Sequence, residues 1–169
     1  MKKIITILIL CISTSICFGQ IEVTIEYNSD NSVLLNGIPI NNTTMYSEIV
    51  KILGEPVIYK EYPTGKTNYH YEELGLILHT VNGNLLTIGV NFNWDGDKNF
   101  PETIFKGTLK IGTTSINQES KSTVVDEMKG FEIKCIMPEM CMNNPKTVKN
   151  PILLGFKNDL ISQISIEFH

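Results

Sequence analysis

Residues 43–56, TTMYSEIVKILGEP, carry a helix signal with both ends marked, in a chain where almost everything else reads as strand or turn. Thr43 or Thr44 can cap the first turn, because a side-chain oxygen there accepts an orphan backbone N–H. Met45, Ile49, Ile52 and Leu53 form one apolar stripe at helical spacing. Glu48 sits early and Lys51 late, which suits the helix dipole. Gly54 can take the conformation that ends a helix, and Pro56 stops its continuation. A helix with a single apolar stripe among so many strands is expected to cover one face of a sheet.

The strand signals are period-two runs and turn residues. Ile21, Val23, Ile25 and Tyr27 alternate with Glu22, Thr24 and Glu26, a half-buried strand. Residues 33–40 read as a hairpin around Asn36-Gly37, with Pro39 placing one arm at an edge or a strand end. Residues 57–61 and 68–72 are two strands joined over Pro63-Thr64-Gly65. Residues 76–81 and 85–92 follow as two more, with Asn82-Gly83-Asn84 as their turn.

A shift of 76 residues lays the second half of the chain on the first without a gap. Ile40-Asn41 falls on Ile116-Asn117, Thr44 on Ser120, Ile49 on Val125, Ile52 on Met128 and Gly54 on Gly130. Leu78 falls on Leu154, Asn82 on Asn158, Ile88 on Ile164, Val90 on Ile166 and Phe92 on Phe168. The matches fall on helix cap, stripe and stop, on the turn, and on alternate positions of the last strand. The expected fold is therefore α+β: two tandem repeats, each a short helix packed on one face of an antiparallel sheet, each able to hold a small core. The expected division is a signal peptide over 1–19, a first repeat over 20–92, a linker over 93–104 and a second repeat over 105–169. Lys129 in place of Leu53 makes the second helix less apolar.

Residues 1–19 read as an export signal, with Lys2 and Lys3 before the apolar run 4–12 and Cys17-Phe18-Gly19 before Gln20. The run is shorter than the ~20 residues a membrane-spanning helix needs. Cleavage before Gln20 leaves a periplasmic or secreted protein; lipidation of Cys17 is the alternative, with Ile16 a bulky residue for the position before it. The whole chain carries −4, and removing the two signal lysines leaves −6. All of its basic residues are lysine. That balance argues against nucleic acid and anionic membrane surfaces as partners. Two cysteines remain after cleavage, Cys135 and Cys141 in CIMPEMC, and in an oxidising compartment they are expected to form a local disulfide. A metal site is the alternative, but no histidine lies near them.

The helix ending in Leu53-Gly54-Glu55-Pro56, followed by Tyr69-His70-Tyr71 and Leu74-Gly75-Leu76, resembles the helix-plus-sheet unit of the SmpA/OmlA outer-membrane assembly lipoproteins. Two such units in tandem resemble the β-lactamase inhibitor protein, which implies a concave sheet surface that grips an enzyme. The chain is also similar to uncharacterised exported bacterial proteins with an NG…LGxP…YxYxxLG…FxGxLxIG pattern. Here that pattern is Asn36-Gly37, Leu53-Gly54-Glu55-Pro56, Tyr69-His70-Tyr71 and, from Phe105 to Gly112, FKGTLKIG. These likenesses are of pattern, and no inhibitory residue carries over.

Asp95, Asp97 and Asn99 have the spacing of a calcium loop, but Phe100 and Lys106 stand where it needs glycine and glutamate. A solvated turn is the plainer reading. His70 and His79 sit in adjacent expected strands and are candidates for a zinc pair or a general base, with no HExxH or GxSxG motif beside them. Glu72 and Glu73 would point to opposite sides of a strand. Tyr59, Tyr62, Tyr69, Tyr71 and Trp94 are the candidate binding residues, because Tyr and Trp offer large rigid area with a polar tip. The set has no reactive group, so the expected function is non-enzymatic: an exported module that binds a protein partner, such as an inhibitor or immunity protein. No cofactor is expected. An envelope-assembly factor is the second reading, and a hydrolase using His70 or His79 the third.

Overall fold

The computed structural model describes residues 22–169. The export segment, the cleavage site before Gln20, Cys17 and Ile21 lie outside them. Asn36 and Gly37 both hold positive φ, 50° and 76°, and so do Asn82 and Gly83, 52° and 81°. Two consecutive residues of that kind make the tight turn of a hairpin. The first joins β2 (Val33–Leu35) to β3 (Ile38–Ile40), and the second joins β6 (Leu76–Val81) to β7 (Asn84–Asn91). The remaining elements in chain order are β1 (Thr24–Tyr27) before them, α1 (Tyr46–Leu53), β4 (Val57–Glu61) and β5 (Lys66–Tyr71) between them, then β8 (Thr108–Ile111) and β9 (Thr114–Ile116). Two 3-10 turns, Ser122–Glu127 and Lys129–Phe131, lead to β10 (Lys134–Met137), β11 (Met140–Met142), β12 (Ile152–Lys157) and β13 (Leu160–Glu167).

The class is α+β, with two sheets. The smaller has the order β3-β2-β1-β8-β9, and the larger β10-β11-β12-β13-β7-β6-β5-β4. Pro39, which cannot donate to a ladder, lies in the edge strand β3. All pairings are antiparallel except β1 with β8. The central pair of the larger sheet is β7 with β13, in which Ile88 faces Ile166 and Val90 faces Ile164.

Among the described residues there is one α-helix. Ile49 and Leu53 are buried and Ile52 half-buried against the core, but Met45 is exposed. Met45 is the N-cap, outside the helix, and its N–H donates to Glu48 Oε2 at 2.7 Å. Thr44 does not cap α1; its hydroxyl accepts the Asn41 N–H in the preceding turn. Gly54 ends the helix with φ 83°, its N–H donating to Val50 O. The expected second helix is not formed, and the 3-10 turns stand in its place. Thr123, Val124 and Val125 are a β-branched run, which weakens a helix, and Lys129 replaces the apolar residue that would complete the stripe.

Positions 76 apart nevertheless make matching backbone contacts. Met45 bridges to Asn84, and Lys121 to Leu160. The N–H of Leu85 donates to Thr44 O, and that of Ile161 to Ser120 O, each at 2.8 Å. Asn41 N–H donates to the Thr44 hydroxyl, and Asn117 N–H to that of Ser120. The halves do not keep separate cores. One buried cluster draws Val23, Ile25 and Tyr27 of the β1 segment, Ile49 of α1, Leu78 and Ile88 of the first half, and Leu154 and Ile164 of the second.

Candidate functional site

The face of the larger sheet turned away from α1 is crossed by a strap, residues 93–104. The strap is therefore not a free linker between units. Its main anchor is Asn91, at the end of β7. The Asn91 side-chain amide donates to Pro101 O at 2.9 Å, Thr103 O at 3.0 Å and Glu102 O at 3.3 Å. The Asn91 backbone N–H donates to Gly75 O, and its carbonyl accepts the Phe105 N–H. Gly75 is required twice over. Its φ is +67°, and an added Cβ would meet Thr103 O at 2.5 Å and Phe105 N at 2.6 Å, where the strap passes over it. Phe100 lies over Gly89, close enough that a Cβ there would meet its ring at 3.0 Å.

The Asp95, Asp97 and Asn99 spacing now has a local explanation. Asp95 Oδ1 accepts the Asp97 N–H, and Asp97 Oδ1 accepts the Asn99 N–H, both at 2.9 Å, two successive Asx turns. Asp95 Oδ2 accepts a hydrogen bond from Gln163 of β13 at 3.1 Å. Among the described residues no group of three or more His, Cys, Asp or Glu is placed to hold a metal ion.

The five aromatic candidates divide between two faces. Tyr69 and Tyr71 share a face, and it is the helix side. Tyr69 stacks on Tyr46 of α1 at 4.5 Å between ring centroids. Tyr71 is buried in the core, which raises the pKa of its hydroxyl through desolvation. Tyr71 is therefore closed to a partner, while Tyr69 is half-buried beside α1. Tyr59 and Trp94 are 42 % and 39 % exposed and line one open depression of about 520 Å³ beside His70. Tyr59 stacks on the His70 ring at 4.1 Å with 8° between planes. Tyr62 lies apart from them, with the ammonium groups of Lys60 and Lys66 over its ring at 4.8 Å and 5.7 Å.

The family of domains of unknown function called DUF7738 matches residues 24–126. The chain belongs to this family. The matched part of the DUF7738 protein runs from β1 into the first 3-10 turn, so it includes α1, the strap and the Tyr59–Trp94 depression. Strands β10 to β13, which complete the larger sheet, lie beyond it. No curated protein and no solved structure matches the chain. Among the described residues of the DUF7738 protein no helix is long and apolar enough to cross a membrane.

The two histidines of the DUF7738 domain are both turned to the strap side but have different surroundings. His70 is buried, with Nε2 2.9 Å from Asn99 O and Nδ1 3.2 Å from Glu72 Oε1. Both partners are acceptors, so a neutral ring can donate to only one of them. Glu73 turns elsewhere, to Lys106 at 3.8 Å. His79 Nε2 is buried with no partner. Burial first, then the Lys66 and His70 charges, lower the His79 pKa from 6.5 to about 4. Cys135 and Cys141 are direct cross-strand neighbours on β10 and β11, and their sulfurs are bonded. The residues that sequence reasoning passed over are Asn91, Asn68 and Phe100. For Asn68 a signal was present, since it shares a strand face with His70 by period two.

Proposed function

We propose that this DUF7738 protein is an exported, non-enzymatic module of two tandem units that binds another protein along β4 and the adjoining Tyr59–Trp94 depression. The observation that carries the reading is the unpaired edge of the larger sheet. There β4 exposes Val57 (60 %), Ile58 (56 %) and Tyr59 (42 %) in succession. Edge strands are usually shielded because an open ladder accepts another chain. Here a register shift at Tyr59 and the charge of Lys60 interrupt the edge, while its apolar residues stay open. An extended segment of a partner could add to β4 through main-chain hydrogen bonds and use the depression for side-chain contact.

The tandem reading is supported by the backbone contacts that recur 76 residues apart, although only the first unit has an α-helix. The likeness to the β-lactamase inhibitor protein is one of pattern, and the strap departs from it by crossing the sheet face that would otherwise be free. The contact surface is therefore assigned to the edge and not to the middle of the sheet. The excess of acidic residues suits a basic partner, as an inhibitor or immunity protein against an exported enzyme or toxin would need. The test is capture of a partner from an envelope extract by wild type, Ile58→Lys and Trp94→Ala, with thermal melts in parallel. Each substitution should weaken capture about 30-fold or more, the ~2 kcal/mol of a hot-spot residue, with melting little changed. Capture at wild-type affinity by both variants would refute the assignment.

A further inference from the structure

On the far side of Phe100 from Trp94, four strands carry one cross-strand row of polar residues. Asn68 of β5 is opposite His79 of β6, His79 is opposite Thr87 of β7, and Thr87 is opposite Glu167 of β13. Directly opposed residues share a face, so all four side chains stand on the strap side of the sheet. Three strand spacings of ~4.8 Å give the row a length of about 14 Å. Together with the strap residues Asp97, Asn99 and Phe100, the row bounds an open groove of about 490 Å³.

The floor of this groove holds unmet hydrogen-bonding capacity. Asn68 is 1 % exposed, yet its Oδ1 has no partner, and His79 Nε2 is likewise buried and unpaired. An ordinary wet sheet face leaves its polar ends to bulk water. These atoms are withdrawn from it, and an unpaired buried polar atom is costly unless something enters to serve it.

We propose that the groove is a binding site for a neutral, polyhydroxylated ligand, the chemistry of a short saccharide. The amide of Asn68, the imidazole of His79 and the hydroxyl of Thr87 each both donate and accept, as sugar hydroxyls do. Burial keeps His79 uncharged near neutral pH, which leaves the middle of the floor without charge. A phosphate or sulfate group would need converging cations. The chain has no arginine, and Lys66 at one end is offset by Glu167 and Asp97 on the lining. Phe100, half-buried in the strap, supplies apolar surface for the C–H face of a sugar ring. The length of the row suits about two sugar units. The site does not involve β4 or Trp94, so it stands or falls apart from the protein-binding surface.

The test is an NMR titration of the folded protein with N,N′-diacetylchitobiose, maltose and cellobiose, each into the millimolar range. At least one should give saturable shifts of the His79 ring and the Asn68 side-chain amide, and none at the Trp94 indole. Asn68→Ala should weaken that binding about tenfold or more. Thr87→Val, which leaves the buried amide in place, should weaken it in the same direction if Asn68→Ala fails to fold. Absence of shifts with all three saccharides would overturn the proposal, as would shifts centred on Trp94 or binding that survives both substitutions. Binding of inorganic phosphate or of the dipeptide Ala-Ala at His79, with no response to the saccharides, would assign the groove to another ligand class and equally overturn it.

Discussion

Asn91→Ala should loosen the strap and lower the stability of the whole fold. The side-chain nitrogen has two hydrogens and three carbonyl acceptors, Pro101 O, Thr103 O and Glu102 O, so two bonds are fully made and the longest is shared. Asn91 is 1 % exposed and Pro101 is buried, so water does not readily replace the amide. Two neutral hydrogen bonds at ~1 kcal/mol net, plus a stranded buried carbonyl, less some relaxation of the strap, give a loss of about 2–4 kcal/mol. With a urea dependence of ~2 kcal/mol per molar, the midpoint should fall by about 1–2 M. Trp94 is the single tryptophan and lies within the strap, so its fluorescence reports strap release while far-UV circular dichroism reports the sheets. Asn91→Asp is the informative companion. It keeps the size but sets an acceptor-only carboxylate against three carbonyls, and it should lose at least as much as alanine. A midpoint within ~0.3 M of wild type for Asn91→Ala, with unaltered Trp94 emission, would show that this amide does not hold the strap.

Ile49→Ala should cost about 2–5 kcal/mol, because Ile49 is fully buried on the core side of α1, whereas Ile52→Ala should cost less than half as much at its half-buried position; equal losses in thermal melts would place the core side of the helix elsewhere. His79 makes stability depend on pH. Its pKa is about 4 in the fold against 6.5 for an ordinary histidine. The unfolded chain therefore binds a proton below 6.5 that the folded chain refuses until about 4, so stability is fully present above 6.5 and falls by about 3 kcal/mol as the pH drops through that window. His79→Gln should flatten this slope in urea titrations, and a native His79 ring that titrates near 6.5 by NMR would contradict the burial argument.

Much of the local structure was legible because its causes are local. Asn36-Gly37 and Asn82-Gly83 dictate tight turns through their backbone freedom, and both adopt the positive φ expected. The period-two runs locate strands, and Gly54 with Pro56 locates the end of α1. The same reasoning failed where local signals competed. A stop glycine and part of a stripe suggested a second helix, but β-branched residues and Lys129 left too little apolar face to hold one, and 3-10 turns formed. Tyr69 and Tyr71 were rightly placed on one side of a strand, yet periodicity does not say which side meets the helix.

The candidate sites were decided at longer range. Nothing in Asn91 by itself names Pro101 or Thr103 as its partners, and the Asp95, Asp97 and Asn99 spacing fits a cation loop as well as the Asx turns it forms. The row from Asn68 to Glu167 exists only because β13 docks beside β7, which brings together residues almost 100 positions apart. Sequence by itself determined the turns, the strand periods, α1 and the acidic, arginine-free character of the chain, since these follow from each residue and its immediate neighbours. Tertiary structure decided the order of the strands, the merging of two halves into one core, the path of the strap and the polar groove beneath it. Those depend on which apolar faces find each other across the chain, and on which polar atoms that burial leaves without water.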